Sequence, residues 1–285
     1  MADGTLKVSD HSRDIAGLKY VYPVVSRRAG GVSVGINLNT NNACNWRCIY
    51  CQVPGLVPGA APPVDMALLE HELRTFLQEL LHGEFMRQRV PEELRRINDI
   101  ALSGNGEPTS AQEFADVVEL VGRLMRELAV PTEVKLVLIT NGSLLQRASV
   151  QQGLRKMANL NGEVWFKLDR ASSEGMLLIN DTRSTPQRVH ENLALAIECC
   201  PNTWLQTCWF ALDGAAPSRA DEDDYLELLG TMQKAGRAPR GVLLYTLARA
   251  PMQPEAPRLG ALAHEQLAAF AARIRELGVA VQLAA

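Results

Sequence analysis

Residues 32–51 read VSVGINLNTNNACNWRCIYC, an apolar run followed by a polar loop that contains three cysteines. The apolar run at 32–38 predicts a buried strand. Cys44, Cys48 and Cys51 follow it with the spacing C-x3-C-x2-C. Three thiolates so close in sequence can bind three irons of a 4Fe-4S cubane, leaving the fourth iron without a protein ligand. The stretch therefore predicts a strand that presents an iron–sulfur cluster with one open iron.

Two other interpretations of the cysteines are a structural zinc site and three unconnected buried thiols. A structural zinc ion normally takes four protein ligands, and the nearest histidines in the sequence, His11, His71 and His82, repeat no metal spacing. Metal ligation is also favoured over disulfides, because the cysteines crowd together in a long chain without a secretion signal.

Outward from this stretch, a pattern of strand, turn and helix repeats about six times. Such alternation predicts parallel βαβ units, because a parallel strand pair needs a crossover of a dozen or more residues. From the residues alone the units form either a partial barrel or an open doubly wound sheet. In both, ligands bind at the carboxyl ends of the strands. The predicted strands are residues 32–38, 97–104, 134–142, 163–169, 203–212 and 241–247, and the predicted helices are residues 64–82, 110–128, 148–158, 187–198, 221–234 and 263–277. Ser110 and Glu113 form a capping-box pattern that predicts where the second helix begins.

Composition indicates one compact catalytic domain. The chain has 285 residues, of which 47% are hydrophobic and 21% charged, values near the average for globular proteins. We predict an N-terminal extension at residues 1–30 and a catalytic domain at residues 31–285. The first residues carry no apolar stretch, and no run approaches the roughly 18 apolar residues of a membrane span. The expected location is therefore the cytoplasm, without a membrane partner.

The formal net charge of −3 gives no overall attraction for nucleic acid. Binding to RNA would need a local basic patch, and Arg87, Arg89, Arg95 and Arg96 form the densest basic stretch. Glutamates lie among these arginines, so charge patterning favours a solvated surface over an RNA contact.

The C-x3-C-x2-C spacing, with the aromatic Tyr50 before the third cysteine, resembles the signature of the radical S-adenosylmethionine (SAM) superfamily. The resemblance implies a partial (β/α)6 barrel and a 4Fe-4S cluster on Cys44, Cys48 and Cys51. It also implies that SAM chelates the open iron, that Tyr50 lies near the adenine, and that a donor such as flavodoxin or ferredoxin supplies an electron. That electron breaks the sulfonium C–S bond, giving methionine and a 5′-deoxyadenosyl radical that abstracts a substrate hydrogen.

A second matching segment is SGNGEPT at residues 103–109, which follows the second predicted strand. It resembles the superfamily's G-G-E-like loop, which presents backbone groups to the SAM amino group, and so implies SAM contacts for Gly104, Asn105, Gly106 and Glu107. Asn105 stands where the first glycine is usual, and asparagine tolerates left-handed backbone better than other non-glycine residues. The alternative is a plain turn between strand and helix.

Polar residues near the ends of later predicted strands complete the candidate site. Period-two alternation places Lys167 and Asp169 on the lumen face with Trp165, opposite Val164, Phe166 and Leu168. The resemblance implies SAM contacts for both charged residues, whereas a structural Lys–Asp pair is the alternative. Further candidates for SAM contact are Thr140, Asn141 and Gln206, the first two having an Asn-Gly turn as their alternative. Cys208 and Tyr245 face either substrate or core.

Residues that the cluster motif does not use leave further alternatives open. The remaining cysteines either hold an auxiliary cluster or fill apolar space, as free cysteines commonly do. They are Cys199, Cys200 and Cys208. Arg249 either binds a substrate anion or forms a surface ion pair.

The segments at residues 104–109, 139–143 and 165–169 also resemble the branch related to wyosine-forming tRNA enzymes. Within the superfamily the first-ranked substrate is a small molecule, followed by a tRNA base and then a glycyl-radical enzyme to be activated. An iron–sulfur or zinc-binding interaction protein without catalysis is the alternative from another class. The sequence assigns no catalytic residue that touches the substrate.

Overall fold

The computed structural model describes residues 17–26 and 30–284. Within these ranges, eight strands form one sheet, and their order across the sheet follows the order along the chain. The first pair is antiparallel and every later neighbouring pair is parallel. The strands are β1 (Val21–Ser26), β2 (Gly31–Ile36), β3 (Ile97–Leu102), β4 (Lys135–Thr140), β5 (Glu163–Lys167), β6 (Thr203–Cys208), β7 (Val242–Tyr245) and β8 (Val281–Ala284).

This strand order decides between the two predicted architectures. A doubly wound sheet reverses its order at a switch point, and no such reversal occurs along these strands. Because parallel crossovers are right-handed, sequential addition keeps their helices on one face of the sheet. The sheet curls into a half-barrel. The partial barrel is therefore confirmed and the open doubly wound sheet is wrong.

The helices other than Ser173–Asn180 pack on the convex face of the sheet, where the main hydrophobic core lies, whereas the end of Ser173–Asn180 contacts the cysteine loop. The helices are α1 (Met66–His82), α2 (Phe85–Arg89), α3 (Phe114–Glu127), α4 (Ala148–Ala158), α5 (Ser173–Asn180), α6 (Pro186–Cys199), α7 (Arg219–Lys234) and α8 (His264–Glu276). Two short ribbons pair Ala43–Cys44 with Val57–Pro58 and Phe210–Leu212 with Leu259–Ala261. In the described part of the chain, no helix has the length and apolar character that a membrane span requires.

Ser110 does not cap a helix, so the predicted capping box is wrong. It ends a short 3₁₀ turn at Pro108–Ser110, and α3 begins at Phe114 without a side-chain cap. The Ser110 hydroxyl instead donates to the Glu107 carbonyl oxygen at 2.7 Å and accepts from the Ala61 amide at 2.9 Å. These two partners, one of them distant in sequence, occupy the Ser110 hydroxyl, which would otherwise have capped the helix.

The predicted N-terminal extension contains β1, which lies at one edge of the sheet. Tyr20, Val21 and Val25 are buried in the main core, so this strand is part of the folded body. Residues 1–16 and 27–29 of the extension lie outside the described residues. The division at residue 30 stays a prediction.

Alternation along β5 follows the predicted pattern. Val164 and Phe166 are buried in the main core, whereas Trp165 and Lys167 lie on the other face and are less buried. Trp165 stands directly opposite Trp204, and Lys167 opposite Gln206, in the register of β5 with β6. The concave face of the half-barrel therefore carries the polar and aromatic residues from which a site can be built.

Candidate functional site

The three motif cysteines lie in the segment that follows β2. Each is a free thiol of intermediate burial, in contrast to the buried Cys199. Burial raises the pKa of Cys44 to about 11 and that of Cys48 to about 12. Both thiols are therefore protonated near neutral pH, and metal binding would have to displace their protons.

The carboxyl end of α5 holds this cysteine loop in place. The backbone N–H of Arg47 donates to the Asn180 carbonyl oxygen at 3.2 Å, and that of Ile49 donates to the Ile179 carbonyl oxygen at 2.9 Å. The side-chain amide of Asn180 also donates to Cys48 Sγ at 3.2 Å. Carbonyls left free at the end of a helix thus become the acceptors that fix the loop. This helix was not predicted from the sequence.

Asp169 joins three elements of the site through its carboxylate. It accepts hydrogen bonds from the Tyr50 hydroxyl at 2.5 Å, the Asn180 side-chain amide at 2.7 Å and the Cys208 backbone N–H at 2.9 Å. Asp169 is 1% exposed, and a buried carboxylate needs such partners. Burial, together with the charge of Asp169, raises the pKa of Tyr50 well above its usual range. Tyr50, within the cysteine loop, is therefore held as a neutral donor to Asp169.

Lys167 and Gln206 lie side by side in the lumen near Tyr50. The Lys167 ammonium stands 5.0 Å from the centroid of the Tyr50 ring, whereas the Asp169 carboxylate bonds to Tyr50, Asn180 and Cys208 instead. Burial opposes the charge on Lys167, but the facing groups Tyr245 and Asp169 outweigh it and raise its pKa. Gln206 is buried and its side-chain oxygen has no partner. An ammonium and an unpaired acceptor thus face the same space.

Glu107 ties the second loop to the end of β4. Its carboxylate accepts from Thr109 N at 3.2 Å, Thr109 Oγ1 at 2.6 Å, Thr140 Oγ1 at 2.6 Å and Asn141 N at 2.7 Å. Burial raises the pKa of Glu107, and these hydrogen bonds act in the opposite direction. Because protein donors fill both carboxylate oxygens, this side chain holds the loop in position.

The loop adopts its turn differently from the prediction. The positive φ falls on Gly104, at 140°, and Asn105 is not among the residues with positive φ, so the expected left-handed asparagine is wrong. The Asn105 backbone N–H donates to Asn37 Oδ1 at 3.0 Å, and its side-chain amide donates to Asn42 Oδ1 at 2.6 Å. The Asn105 side-chain oxygen is buried without a partner. Asn105 therefore serves as a bridge to the segment before the cysteines.

Asn141, at the end of β4, reaches the cysteine loop directly. Its side-chain amide donates to Asn45 Oδ1 at 2.9 Å, and Asn45 in turn donates to Ser143 Oγ at 2.7 Å. Thr140 lies one residue earlier and is bound to Glu107. The structure thus brings the loops after β2, β3 and β4 together, as their common position at the carboxyl ends of strands predicts.

The other cysteines do not lie together. Cys199 and Cys200 belong to the main core behind the sheet, whereas Cys208 packs with Tyr50 on the lumen side. The auxiliary-cluster alternative therefore lacks a common site. Tyr245 stands opposite Cys208 in the register of β6 with β7.

The candidate ligand-binding arginines form contacts within the protein. Arg249 donates to Gln52 Oε1 at 3.3 Å, beside the cysteine loop. In the basic stretch, Arg95 donates to the Val90 carbonyl oxygen at 2.9 Å, and Arg96 donates to that of Gly30 at 2.8 Å. Arg87 pairs with Glu84. These contacts favour the solvated surface over an RNA patch.

The described residues form no site for a single metal ion. Among the described residues, no three His, Cys, Asp or Glu side chains are arranged to hold one metal ion. A zinc site needs all its ligands within about 2.0–2.3 Å of one point. A cubane makes a different demand, since each thiolate binds a different iron.

No protein-family model matches the chain. It is 27% identical over 139 residues to a "UPF0026 protein" of Helicobacter pylori, a match that covers 47% of this chain and 38% of that protein. A UPF0026 protein of Synechocystis is 25% identical over 161 residues, covering 56% of this chain and 52% of that protein. The chain thus matches about half or less of the length of these relatives.

Solved structures align over most of the chain. TYW1 with a bound lysine–pyruvate adduct aligns with a TM-score of 0.55 at 15% identity, covering 88% of this chain and 74% of that one. SuiB of Streptococcus suis, bound to S-adenosylmethionine, aligns with a TM-score of 0.55 at 11% identity, covering 85% and 48%. The chain has the radical SAM fold. The candidate site lies at one end of the half-barrel, at the carboxyl ends of the strands. It consists of the cysteine loop, Gly104–Gly106, Asn141 and the end of β5.

Proposed function

We propose that the chain is a radical SAM enzyme whose cysteine loop holds a 4Fe-4S cluster and whose lumen binds SAM. The observation that carries the proposal is the arrangement of Cys44, Cys48 and Cys51. They are three free, half-buried thiols on one loop at the carboxyl ends of the strands. Hydrogen bonds with Asn180 and Asn141 fix that loop in position.

The buried polar groups support a SAM site beside the loop. The unpaired Gln206 side-chain oxygen would accept a hydrogen bond, because buried polar atoms are rarely left without a partner. Lys167 would bind the SAM carboxylate or a ribose hydroxyl. Tyr50 would lie on the adenine side, and the Gly104–Gly106 backbone on the amino-group side. We assign positioning roles to Glu107 and Asp169, because protein donors occupy their carboxylates.

When bound, the cluster supplies one electron that cleaves the SAM C5′–S bond into methionine and a 5′-deoxyadenosyl radical. The protein must then exclude water from the site and hold its own side chains in position. An apolar cluster on the lumen side, which includes Tyr50, Cys208 and Phe210, would exclude water. The hydrogen bonds that Asp169 accepts from Tyr50 and Asn180 hold those side chains in position.

We infer a small-molecule substrate, because the half-barrel encloses a cavity of about 260 Å³ rather than an open basic groove. The electron donor would be a flavodoxin or ferredoxin, and the six reduced cysteines suit a cytoplasmic location. A tRNA substrate would require an RNA-binding surface. The arginines of the basic stretch do not support one, because they contact other groups of the protein.

Anaerobic reconstitution with iron and sulfide tests the proposal. The product should contain about four iron atoms per chain, as one cubane requires, and should form 5′-deoxyadenosine from SAM after reduction with dithionite. An interaction protein without catalysis would form none.

The matched variants are Cys48→Ala and Cys199→Ala. The first should abolish both the cluster and 5′-deoxyadenosine formation, whereas the second removes a core thiol outside the loop and should leave both. If Cys48→Ala retained the wild-type yield, the cluster assignment would be wrong.

A further inference from the structure

A cavity of about 260 Å³ lies in the lumen of the half-barrel, apart from the cysteine loop. It extends from Asp99 and Lys135, near the amino ends of β3 and β4, to Tyr245 at the end of β7. This lumen cavity is slightly smaller than pockets for drug-sized ligands, which span roughly 300–1,000 Å³. Its size suits a ligand of few atoms.

The described side chains that line the lumen cavity carry one negative charge in excess. Lys135 Nζ pairs with Glu163 Oε1 at 2.6 Å, which balances those two charges. Asp99 is 4% exposed, and its hydrogen-bond donors are the Ser33 hydroxyl and, at 2.8 Å, the neutral amide of Asn98. These two neutral donors bond to the carboxylate directly, whereas the nearby Lys135 is paired with Glu163.

Two indole rings form part of the same wall. Trp165 and Trp204 are cross-strand neighbours in the register of β5 with β6, and both line the cavity. The Trp165 N–H donates to Glu163 Oε2 at 3.2 Å, whereas the Trp204 N–H is buried without a partner. Indole is the aromatic group that attracts cations most strongly. A buried donor without an acceptor indicates a place for a ligand oxygen.

We propose that the lumen cavity binds a small organic cation, of the amine or quaternary ammonium class, that carries a hydrogen-bond acceptor. Asp99 supplies the opposite charge, Trp165 and Trp204 supply aromatic faces, and the Trp204 N–H donates to the acceptor. Tyr245 connects this space to the cysteine loop, because it lines the cavity, stands opposite Cys208 and packs against the cluster that contains Tyr50. In the proposed enzyme this cation is the substrate, and that last step alone rests on the proposed function.

The test compares choline with 3,3-dimethylbutan-1-ol, which has the same shape and hydroxyl group but no charge. Binding is measured by isothermal titration calorimetry at pH 8 on the cluster-free protein without SAM. Choline should bind at least tenfold more tightly than the alcohol. Equal affinities, or no binding of choline, would overturn the proposal.

Variants that remove either a negative or a positive charge from the cavity wall test where choline binds. Asp99→Asn should weaken choline binding at least fivefold and leave the alcohol unaffected, whereas Asp116→Asn, on the exposed surface of α3, should change neither. Lys135→Gln removes the positive charge and should tighten choline binding at least threefold, which a merely unfolded variant cannot do. An unchanged affinity in Lys135→Gln would place choline outside the lumen cavity.

Because these titrations need neither cluster nor SAM, they separate the two proposals. Choline selectivity in a protein that makes no 5′-deoxyadenosine would refute only the radical SAM activity. Cleavage of SAM by a protein that does not distinguish choline from the alcohol would refute only the cation site.

Discussion

The side-chain amide of Asn180 donates to Cys48 Sγ at 3.2 Å and to Asp169 Oδ2 at 2.7 Å. One side chain at the end of α5 therefore connects a motif thiol to the carboxylate that also holds Tyr50. A hydrogen bond to a cluster sulfur stabilises the more negative, reduced state, and such bonds are among the factors that set cluster potentials. In the proposed cluster-bound enzyme, Asn180 would therefore have both a positioning role and an electronic one.

Replacing Asn180 by alanine should lower the reduction potential of the reconstituted cluster. Loss of a net stabilisation of about 1 kcal/mol corresponds to about 40 mV for a one-electron couple. The measurement is a redox titration followed by electron paramagnetic resonance. Leu178→Ala, at a residue that is 55% exposed on the same helix, is the control and should leave the potential in place. Equal potentials in wild type and Asn180→Ala would limit the amide to a structural role.

Lys167→Ala should weaken SAM binding to the reconstituted protein. A hydrogen bond to a charged group contributes about 1.5–3 kcal/mol, so we expect the dissociation constant to rise at least tenfold in equilibrium dialysis. Lys234→Ala removes an exposed lysine from the end of α7 and serves as the matched control. If the two variants bound SAM equally well, Lys167 would only balance the buried charge of Asp169.

Gly106→Ala should destabilise the protein, because a Cβ at this position would collide with the Ala43 carbonyl oxygen and lie 2.6 Å from Asn39 Nδ2. Overpacking of this kind costs about 1–3 kcal/mol, measured as the change in the free energy of unfolding in urea. At Gly230, inside α7, an added Cβ meets no atom within 4 Å. Gly230→Ala should therefore stabilise the protein, by up to about 1 kcal/mol. A neutral Gly106→Ala would show that the loop can move away from the cysteine segment.

Local sequence patterns predicted the central strands of the sheet and several residues of the candidate site. The cysteine spacing, the six central strands and the alternation that turns Lys167 inward depend on neighbours within a few residues, which a sequence displays directly. α4 occurs at the predicted residues, 148–158. The predicted convergence of Asn105, Asn141 and the cysteines followed from a general property of parallel sheets.

The features that were not predicted from the sequence depend mostly on contacts between residues that are distant in the chain. Tyr50 and Asp169 are 119 residues apart, and nothing in either segment indicates that one donates to the other. The eight-residue α5 leaves Leu177 and Leu178 exposed, so it lacks an amphipathic pattern. Its one local signal was Ser172, which accepts from the Gly175 N–H as an N-cap. β1 and β8, which were not predicted, are the two edge strands of the sheet, and each pairs with a single neighbouring strand.

Asp99 should make the stability of the protein depend on pH. Burial raises its pKa above the ordinary value of 3.8; the facing Glu163 adds to the shift, while Ser33, Asn98 and Lys135 oppose it. The folded state therefore holds the proton more tightly than the unfolded state does. The resulting stabilisation is complete below the unfolded pKa and is lost as pH rises toward the folded pKa, by about 1.4 kcal/mol for each unit between the two.

Asparagine at position 99 cannot titrate, so wild type should lose stability relative to Asp99→Asn as pH rises from about 4 to neutrality. Urea unfolding at several pH values measures this difference, because the remaining carboxyl groups are common to both proteins. Ser33→Ala removes a hydrogen bond that lowers the pKa of Asp99, so its stability should fall further than that of wild type over the same interval. Parallel curves for wild type and Asp99→Asn would mean that solvent reaches this carboxylate and that the lumen is wetter than the structure indicates.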